Sequence, residues 1–156
     1  MRTVEFYINN KLYKSCPYDQ WDSTDKCILN DISKNGYIPI YSERFMNKLP
    51  FHAKVYLNLD TYKCLIYVYK IFTGMYDKEG NKIYEDDTIM TPYEFESGVY
   101  RKFDKDEYYI RQEYKDSWGW KDYDIDNFKE CIKIKDVNMM PKDIWNEPET
   151  ILETDL

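Results

Sequence analysis

The run CLIYVYKIF, residues 64–72, is a nearly unbroken apolar stretch in a chain that is otherwise rich in charge. A stretch of this kind predicts a β-strand that is buried on both faces. Apolar residues also occupy alternate positions from Phe51 to Leu59, which predicts a second strand with one apolar face. Because Asp60-Thr61-Tyr62 separates the two stretches, we expect them to pair as a hairpin.

The first 65 residues predict a region of strand, helix and strand. Residues 4–8 alternate between apolar and polar side chains, and Asn9-Asn10 is typical of a turn that reverses such a strand. A helix follows, with Ser23 or Thr24 as its N-cap, apolar residues at four-residue spacing, and Gly36 at its end.

The second half of the chain reads as a series of short strands separated by charged turns. Alternating apolar residues occur at 82–90, 99–103, 107–112, 118–121 and 131–137. Short strands at this spacing are typical of a small β-barrel. Asp124 or Asp126 can cap a short helical turn through Phe128. The sequence therefore predicts an α+β, mainly β fold, with an α+β region over residues 1–65 and a β-barrel domain over residues 66–156.

Charge constrains the class of partner. The chain has 29 acidic and 22 basic residues, and its formal net charge is −7. Binding to nucleic acid phosphates needs a basic footprint, and no run of Lys or Arg supplies one, so we expect no direct contact with nucleic acid. An acidic surface suits a basic protein partner, although acidity also serves solubility alone.

The sequence gives no sign of a metal site or a membrane anchor. The four cysteines are far apart and His52 is the single histidine, so the closely spaced ligand pairs of zinc sites are missing. Free, buried thiols are expected, with no metal and no cofactor. No apolar run approaches the ~20 residues of a membrane helix, and the N-terminus lacks the apolar core of a signal peptide. We expect a cytoplasmic protein without membrane contact.

Two segments carry a resemblance to a known family. Residues Phe72 to Met90 read FTGMYDKEGNKIYEDDTIM, and Asp143 to Glu153 read DIWNEPETILE. The first resembles the hallmark of the YopX family of phage and prophage proteins, TGLxDxxGxxIYEGDIV, and the second is similar to the family's closing pattern, IYENPELLE. The chain departs from the family at Asp86, where Gly is usual, and at Pro141-Lys142, where Gly-Asn is common. The matching residues are Thr73, Gly74, Asp77, Gly80, Ile83, Tyr84, Glu85, Asp87, Ile89, Ile144, Asn146, Glu147, Pro148, Glu149 and Leu152.

The resemblance covers about residues 68–153. It implies an SH3-like β-barrel and a phage or prophage origin, and it brings no enzymatic activity. The first motif also makes physical sense without chemistry, because Gly74 and Gly80 permit a tight hairpin and Asp77 holds a turn through its side chain. If the position of Asp86 needs positive φ, Asp is a better substitute for Gly than most residues but is still strained.

Candidate catalytic chemistry is sparse. The acidic turn Glu85-Asp86-Asp87 offers oxygen ligands for Ca²⁺ or Mg²⁺, but EF-hand spacing is absent and neighbouring strand residues alternate faces, which favours a solvated turn. His52 has no Ser or Cys nucleophile motif beside it. The P-loop, GxSxG, HExxH and GxGxxG patterns are also missing. We therefore assign no catalytic residue and expect a protein that is not an enzyme.

The segment from Asp104 to Asp126 combines eight acidic, four basic and six aromatic residues. Exposed rings supply contact area at low entropic cost, and surrounding carboxylates engage Arg and Lys of a partner. The alternative is that the rings line the core while the charges face water. The predicted partner-binding residues are Asp104, Asp106, Glu107, Tyr109, Glu113, Asp116, Trp118, Trp120, Asp122 and Asp124.

These observations lead to one leading hypothesis and two alternatives. The leading hypothesis is a non-enzymatic phage-encoded protein in the host cytoplasm. It would inhibit a nucleic-acid-handling or defence factor, such as a CRISPR effector or another nuclease, by filling its basic groove. The first alternative is a structural or assembly protein that forms a homo-oligomer through its strand edges. The second is a small metal-dependent hydrolase that uses the acidic turn.

Overall fold

The computed structural model describes residues 2–41, 53–93, 95–102, 105–114 and 118–135. Most of these residues lie in strands, and the described part contains one α-helix, which confirms the predicted mainly β, α+β class. A 3-10 turn, Tyr18–Gln20, leads into helix α1, Trp21–Lys34. The strands are β1 Thr3–Ile8, β2 Lys11–Pro17, β3 Tyr37–Ile40, β4 Lys54–Asn58, β5 Cys64–Tyr76, β6 Lys82–Tyr84, β7 Thr88–Met90, β8 Glu96–Arg101, β9 Tyr108–Glu113, β10 Trp120–Ile125 and β11 Ile132–Lys135.

The described strands form two sheets, and no closed barrel is found among them. One sheet has the order β2-β1-β5-β4-β3, with β6 also pairing with β5, and the other has the order β10-β9-β8-β7-β11. In the described part of the chain β10 and β11 lie at opposite ends of the second sheet, so the ladder stays open. Short strands at regular spacing are compatible with open sheets as well as with barrels, so the SH3-like barrel stays a prediction.

The chain divides into two compact units, which are described separately. The described residues from 4 to 70 form the N-terminal unit, and residues 2–3 together with those from 71 to 135 form the C-terminal unit. The predicted division into residues 1–65 and 66–156 stays a prediction. Residues 136–156, which belong to the predicted second domain, lie outside the described part.

In the N-terminal unit, strands β1 and β2 are joined by the turn that the sequence predicted. Asn9 and Asn10 have φ values of 48° and 66°, a conformation that asparagine tolerates better than most residues. The backbone N–H of Asn9 donates to the carbonyl of Ile66 at 2.9 Å, and its side-chain Oδ1 accepts from the Ile66 N–H at 2.9 Å. The turn is therefore joined to β5 by two hydrogen bonds between Asn9 and Ile66.

Helix α1 begins two residues before the predicted cap. Its N-cap is Gln20, which makes no side-chain capping bond, and the Ser23 hydroxyl instead donates to the Gln20 carbonyl at 3.1 Å. The capping prediction was wrong because the 3-10 turn after Pro17 already sets the backbone that enters the helix. Ile28 and Ile32 are buried on one face, and the chain leaves the helix at Gly36 with φ 88°, as predicted.

Strands β4 and β5 pair antiparallel, with Val55 opposite Ile66 and Leu57 opposite Cys64, which confirms the predicted hairpin. The predicted one-sided burial of β4 was wrong, since Tyr56 is buried together with its neighbours. Leu59 is exposed, because the strand has ended and the turn has begun. The fully buried residues of this unit include Val4, Phe6, Ile28, Leu57, Ile66 and Tyr67.

The C-terminal unit has its own core. The side chains that meet in it are Ile83, Ile89, Val99, Tyr108, Ile110, Phe128 and Cys131, with Met75, Tyr123 and Ile125 packed against them. The predicted helical turn capped by Asp124 or Asp126 is absent, because Asp124 belongs to β10 and pairs with Tyr109. Phe128 reaches the core from the turn after β10 instead.

Asp77 organises the hairpin between β5 and β6. Its Oδ1 accepts from the N–H groups of Glu79 and Asn81 at 2.9 and 2.8 Å, and its Oδ2 accepts from the Lys133 N–H at 2.9 Å. Gly74 and Gly80 have positive φ. The structural interpretation of the family-like motif is thus confirmed: Asp77 and Gly80 shape the turn, Gly74 lies at the register shift in β5, and Asp77 also holds the start of β11.

All four cysteines are free, but Cys27 is exposed on α1, which corrects the prediction that every thiol is buried. Burial raises the pKa of the Cys131 thiol, and the nearby Glu130 and Asp77 add to the effect. Across the described ranges, no helix combines the length and the apolarity that crossing a membrane requires.

Candidate functional site

Strands β8, β9 and β10 place a polar, aromatic surface opposite the core of the C-terminal unit. Val99, Tyr108 and Ile110 point inward, so the residues between them point outward, as the period of two in a strand requires. We call this surface the outer face. It consists of Gly98, Tyr100, Tyr109, Arg111, Glu113, Trp120, Asp122 and Asp124.

Arg111 is at the centre of the outer face and is stacked among three rings. Its guanidinium carbon lies 4.6 Å from the ring centroid of Trp120, 5.5 Å from that of Tyr100 and 5.7 Å from that of Tyr109. Tyr100 and Tyr109 also stack on each other, with centroids 5.7 Å apart and planes at 29°. A cation over aromatic faces is favourable by about 0.5–1 kcal/mol at exposed sites, so these groups hold one another in place.

Asp122 completes this cluster from the neighbouring strand. It lies opposite Arg111 in the β9–β10 ladder, and its two oxygens accept from Arg111 Nε at 2.8 Å and Nη2 at 3.1 Å. Such a two-point contact fixes the orientation of the planar guanidinium. The hydrogen bond from Arg111 and its charge lower the pKa of Asp122.

Lys102 is a second cation of this chain that faces carboxylates, one of them Asp124 of the outer face. Lys102 Nζ lies 2.9 Å from Asp124 Oδ1 and 3.5 Å from Glu107 Oε2. The hydrogen bond to Asp124 raises the pKa of Lys102. Asp122 and Asp124, two residues predicted to engage a partner's cations, therefore already face cations of their own chain. The local negative charge is smaller than the sequence indicated.

The hairpin between β9 and β10 carries the most exposed rings of this region. Trp118 is fully exposed, Trp120 is 57% exposed and Tyr114 is 45% exposed. Gly119 has φ 124°, and the Tyr114 N–H donates to its carbonyl at 3.2 Å, which closes the described ends of the loop. Exposed rings gathered at one hairpin are typical of interaction sites rather than of ordinary surface. For these three rings the alternative of a core position does not hold, whereas Tyr108 lies in the core and Tyr123 packs against it.

The predicted binding residues divide into three groups. Tyr109, Glu113, Trp120, Asp122 and Asp124 share the outer face, and Trp118 adjoins it at the hairpin tip. Asp106 and Glu107 belong to the turn before β9, where Asp106 Oδ1 lies 3.8 Å from Arg2 Nε. Asp104 and Asp116 lie outside the described residues, so their placement stays a prediction.

Sequence reasoning missed the three residues that organise the surface: Tyr100, Lys102 and Arg111. Arg111 occupies the same alternating series as Tyr109 and Glu113, so its place on their face was readable from the period of two. Its pairing with Asp122 was not, because that contact depends on the length of the hairpin loop, which sets the register between β9 and β10.

The carboxylates of the acidic turn Glu85-Asp86-Asp87 have separate partners. Glu85 Oε2 accepts from Arg2 Nε at 2.9 Å and from the Tyr108 hydroxyl at 2.8 Å. Asp87 is fully buried, and its Oδ2 accepts from the Tyr84 N–H at 2.8 Å, so the prediction of a solvated turn was wrong. Asp86 has φ 70°. The turn therefore supports the fold, and in the described part of the chain no cluster of His, Cys, Asp and Glu is placed to hold a metal ion.

A cleft of about 500 Å³ lies in the N-terminal unit. Ile28, Ile32 and Leu65 contribute apolar surface to it, and Asn58 contributes polar groups. The Asn58 side chain is already engaged, since its Nδ2 donates to the Asn35 carbonyl and its Oδ1 accepts from the N–H groups that follow it. Further polar side chains line the cleft at Tyr13, Asp31, Asn35, Tyr37, Thr61 and Lys63.

Comparison with known proteins gives no further identification: no family model, no curated protein and no solved structure matches the chain. The resemblance to the YopX family stays a prediction that rests on the two quoted segments. The second of these, residues 143–153, lies outside the described residues.

Proposed function

We propose that this chain is a non-enzymatic binding protein that docks on a basic protein surface with the outer face and the adjoining hairpin tip. The observation that carries the proposal is Arg111 stacked on Trp120, Tyr100 and Tyr109 at an exposed surface. Trp, Tyr and Arg are the residue types that dominate binding energy at protein interfaces.

Pre-organisation supports this assignment. Association loses about 0.5–1.5 kcal/mol for each side chain that must be immobilised. On the outer face the rings stack on one another and Asp122 holds Arg111 at two points, so little of that cost remains. Rigid aromatic side chains of this kind act as anchors in many binding surfaces.

Charge determines the type of partner. The formal net charge of −7 favours approach to a basic surface and disfavours nucleic acid or an anionic membrane. Asp122 and Asp124 already face cations, so we assign the affinity mainly to the rings and the steering to the charge of the whole chain. Glu113 adds a carboxylate beside Trp120, its cross-strand neighbour.

The narrower proposal concerns the host factor. The resemblance to phage and prophage proteins supports a role inside an infected bacterial cell. A partner with a basic groove then suggests a nucleic-acid-handling or defence protein, such as a CRISPR effector or another nuclease. Carboxylates and rings would occupy the groove in place of phosphates and bases.

The test compares the wild-type chain with single substitutions in quantitative affinity capture from its native bacterial host. Trp118→Ala and Trp120→Ala remove exposed rings of the proposed surface. Tyr93→Ala is the matched control, because Tyr93 is as exposed but lies outside β8, β9 and β10. Light scattering on each purified variant checks for self-association.

We expect one or more host proteins whose capture falls at least about tenfold with Trp118→Ala or Trp120→Ala, since truncating an anchor ring costs about 2 kcal/mol. Their capture should be unchanged with Tyr93→Ala and should weaken as salt rises. The proposal would be contradicted if all three variants lost capture equally, or if capture did not change with either tryptophan substitution. A chain that self-associates through the same rings would favour the assembly alternative.

A further inference from the structure

We propose that β10 is an acceptor for an extended segment of the partner, which adds to the sheet as a further strand with Lys or Arg at alternate positions. This inference rests on the proposed function and specifies its binding mode. In the described part of the chain β10 pairs with β9 alone, so one edge of β10 has no neighbouring strand.

The direction of the backbone groups follows from the ladder. Tyr114 N–H donates to the Gly119 carbonyl, which makes Tyr114 and Gly119 a hydrogen-bonded pair. Hydrogen-bonded and non-hydrogen-bonded pairs alternate in an antiparallel ladder. Along β10, therefore, Lys121, Tyr123 and Ile125 direct their N–H and C=O groups toward β9.

The other side of β9 agrees with this assignment. Lys102 N–H donates to the Glu107 carbonyl at 2.8 Å, so Glu107, Tyr109 and Arg111 direct their backbone groups toward β8. Tyr108, Ile110 and Gln112 of β9 therefore direct their backbone groups toward β10. Their partners there are Ile125, Tyr123 and Lys121. The groups that face the free edge belong to Trp120, Asp122 and Asp124.

These edge residues also set the chemistry of the added strand. The side chains of Trp120, Asp122 and Asp124 all lie on the outer face, so an added strand brings every second side chain beside them. Opposite charges and aromatic neighbours stabilise directly opposed pairs by roughly 0.2–1 kcal/mol. The carboxylates that already contact Arg111 and Lys102 retain lone pairs for a second cation.

The remaining described edges are less suited to strand addition. Strand β3 contains Pro39, β11 has a register shift between Lys133 and Lys135, and β6 has only three residues. Strand β2 ends at Pro17. Prolines, bulges and short strands are among the devices that protect sheet edges, whereas β10 contains no proline and has a regular register over all six residues.

A second copy of the chain is a poorer occupant than a basic segment. Pairing of β10 with β10 would bring the Asp122 and Asp124 carboxylates of both copies together, and like charges opposite each other are destabilising. A strand with Lys or Arg at alternate positions meets these carboxylates with the opposite sign. Its backbone supplies affinity through hydrogen bonds, as in other cases of strand addition.

The first experiment measures amide hydrogen exchange by NMR in the full chain, with and without a capped peptide of alternating lysine and valine. We expect the peptide to slow exchange at Trp120, Asp122 and Asp124, because their N–H groups gain acceptors. The control is the same peptide with N-methyl groups on its lysines or on its valines, which keeps its charge. One of the two methylated peptides lacks the backbone N–H donors that would face β10. We expect it to bind at least about tenfold more weakly than the unmethylated peptide.

The second experiment compares Asp124→Ala with Asp124→Pro in peptide binding. Both lose the carboxylate, but only proline also loses the N–H that faces the free edge. The hydrogen bonds between β9 and β10 do not use that N–H. We expect Asp124→Pro to bind about tenfold more weakly than Asp124→Ala. Circular dichroism shows whether both variants fold, and the exchange measurement on the wild-type chain decides the question if proline disrupts the strand.

Each outcome separates the inference from the proposed function. Peptide binding that shifts Arg111 and Trp120 without slowing the three edge amides overturns strand addition and leaves surface docking in place. A complete absence of peptide binding also overturns strand addition. The affinity capture with the tryptophan variants then remains the test of surface docking. Slowed exchange that grows with protein concentration in the absence of peptide identifies a second copy as the occupant and overturns the basic segment.

Discussion

The hydroxyl of Tyr67 donates a hydrogen bond of 2.5 Å to Asp25 Oδ1 inside the N-terminal unit. Tyr67 is fully buried on β5 and Asp25 is buried on α1, so this contact joins the helix to the sheet. Burial, and then the hydrogen bond to Asp25, raise the pKa of Tyr67. The hydroxyl therefore keeps its proton at pH values where a tyrosine in water ionises.

Replacing Tyr67 with Phe removes the donor and leaves the Asp25 carboxylate buried without it. We expect the free energy of unfolding to fall by about 1–3 kcal/mol, the cost of such an unsatisfied group. Because the pKa of Tyr67 is raised on folding, the wild type loses stability as pH rises above about 10, and the variant loses less. Urea titrations at neutral and alkaline pH measure both effects. Tyr13→Phe, at an exposed position, is the control and should change little.

The contacts of Asp77 predict that the free energy of unfolding depends on pH in the acid range. Burial alone would raise its pKa, but the N–H donors of Lys133, Asn81 and Glu79 together hold that pKa below the ordinary value. Its contribution is thus present above about pH 4 and is lost as pH falls through the lower, folded pKa. We expect Asp77→Asn to lower the free energy of unfolding at pH 7 by about 2–3 kcal/mol.

Thermal unfolding across an acid pH series measures the Asp77 effect. The difference between Asp77→Asn and the wild type should shrink toward low pH, where the wild-type carboxyl is protonated as well. Asp19→Asn, at an exposed position, provides the comparison. A difference that stays constant with pH would mean that the charge of Asp77 does not contribute.

Asp86 is a position where substitution should stabilise the protein. Its φ of 70° is unfavourable for most residues, and burial followed by the charge of Glu85 raises the pKa of its carboxyl. Asn tolerates this backbone conformation and carries no charge. We expect Asp86→Asn to raise the free energy of unfolding by about 0.5–1 kcal/mol, or Tm by about 1–4 °C. Asp86→Ala should lower it, because alanine has no side-chain group to compensate the strain, and a neutral alanine would argue against strain here.

Gly98 allows Tyr100 to lie close to the backbone of the outer face. A Cβ at this position would come within 2.9 Å of the Tyr100 ring, so Gly98→Ala forces the ring away from Arg111. We expect a loss of about 1 kcal/mol from this displacement, together with weaker partner capture. In the background of Tyr100→Ala the same substitution should be nearly neutral. Denaturant titrations of the four proteins give the coupling energy, and a coupling near zero would contradict the contact.

The sequence was informative where period and turn chemistry act locally. Asn9-Asn10 and Gly36 behave as predicted, because positive-φ residues constrain the chain over a few positions. Strand β5 is buried on both faces over residues 64–68, as predicted, but only half-buried over residues 69–72. The motif around Asp77 was also understood correctly as a set of turns. These features need no knowledge of distant partners.

Most of the misses concern contacts between segments that are distant along the chain. The start of α1 is the local exception, since it depends on the 3-10 turn directly before it. The order of the strands in the two sheets depends on pairing between distant segments. At the outer face, composition indicated a negative surface. The register instead pairs Asp122 with Arg111, and the fold brings Lys102 beside Asp124. Such neutralisation cannot be counted from residue totals, since it follows from side-chain geometry.

The full exposure of Trp118 gives the protein an optical reporter of its own. An indole surrounded by water fluoresces at longer wavelength than one in an apolar pocket. Docking of the hairpin tip should therefore shift the emission of this ring to the blue without any attached dye. Trp118→Phe would remove the contribution of this ring while leaving an aromatic side chain in place, and the response that remains would report on Trp120, so the occupancy of the tip can be followed in real time.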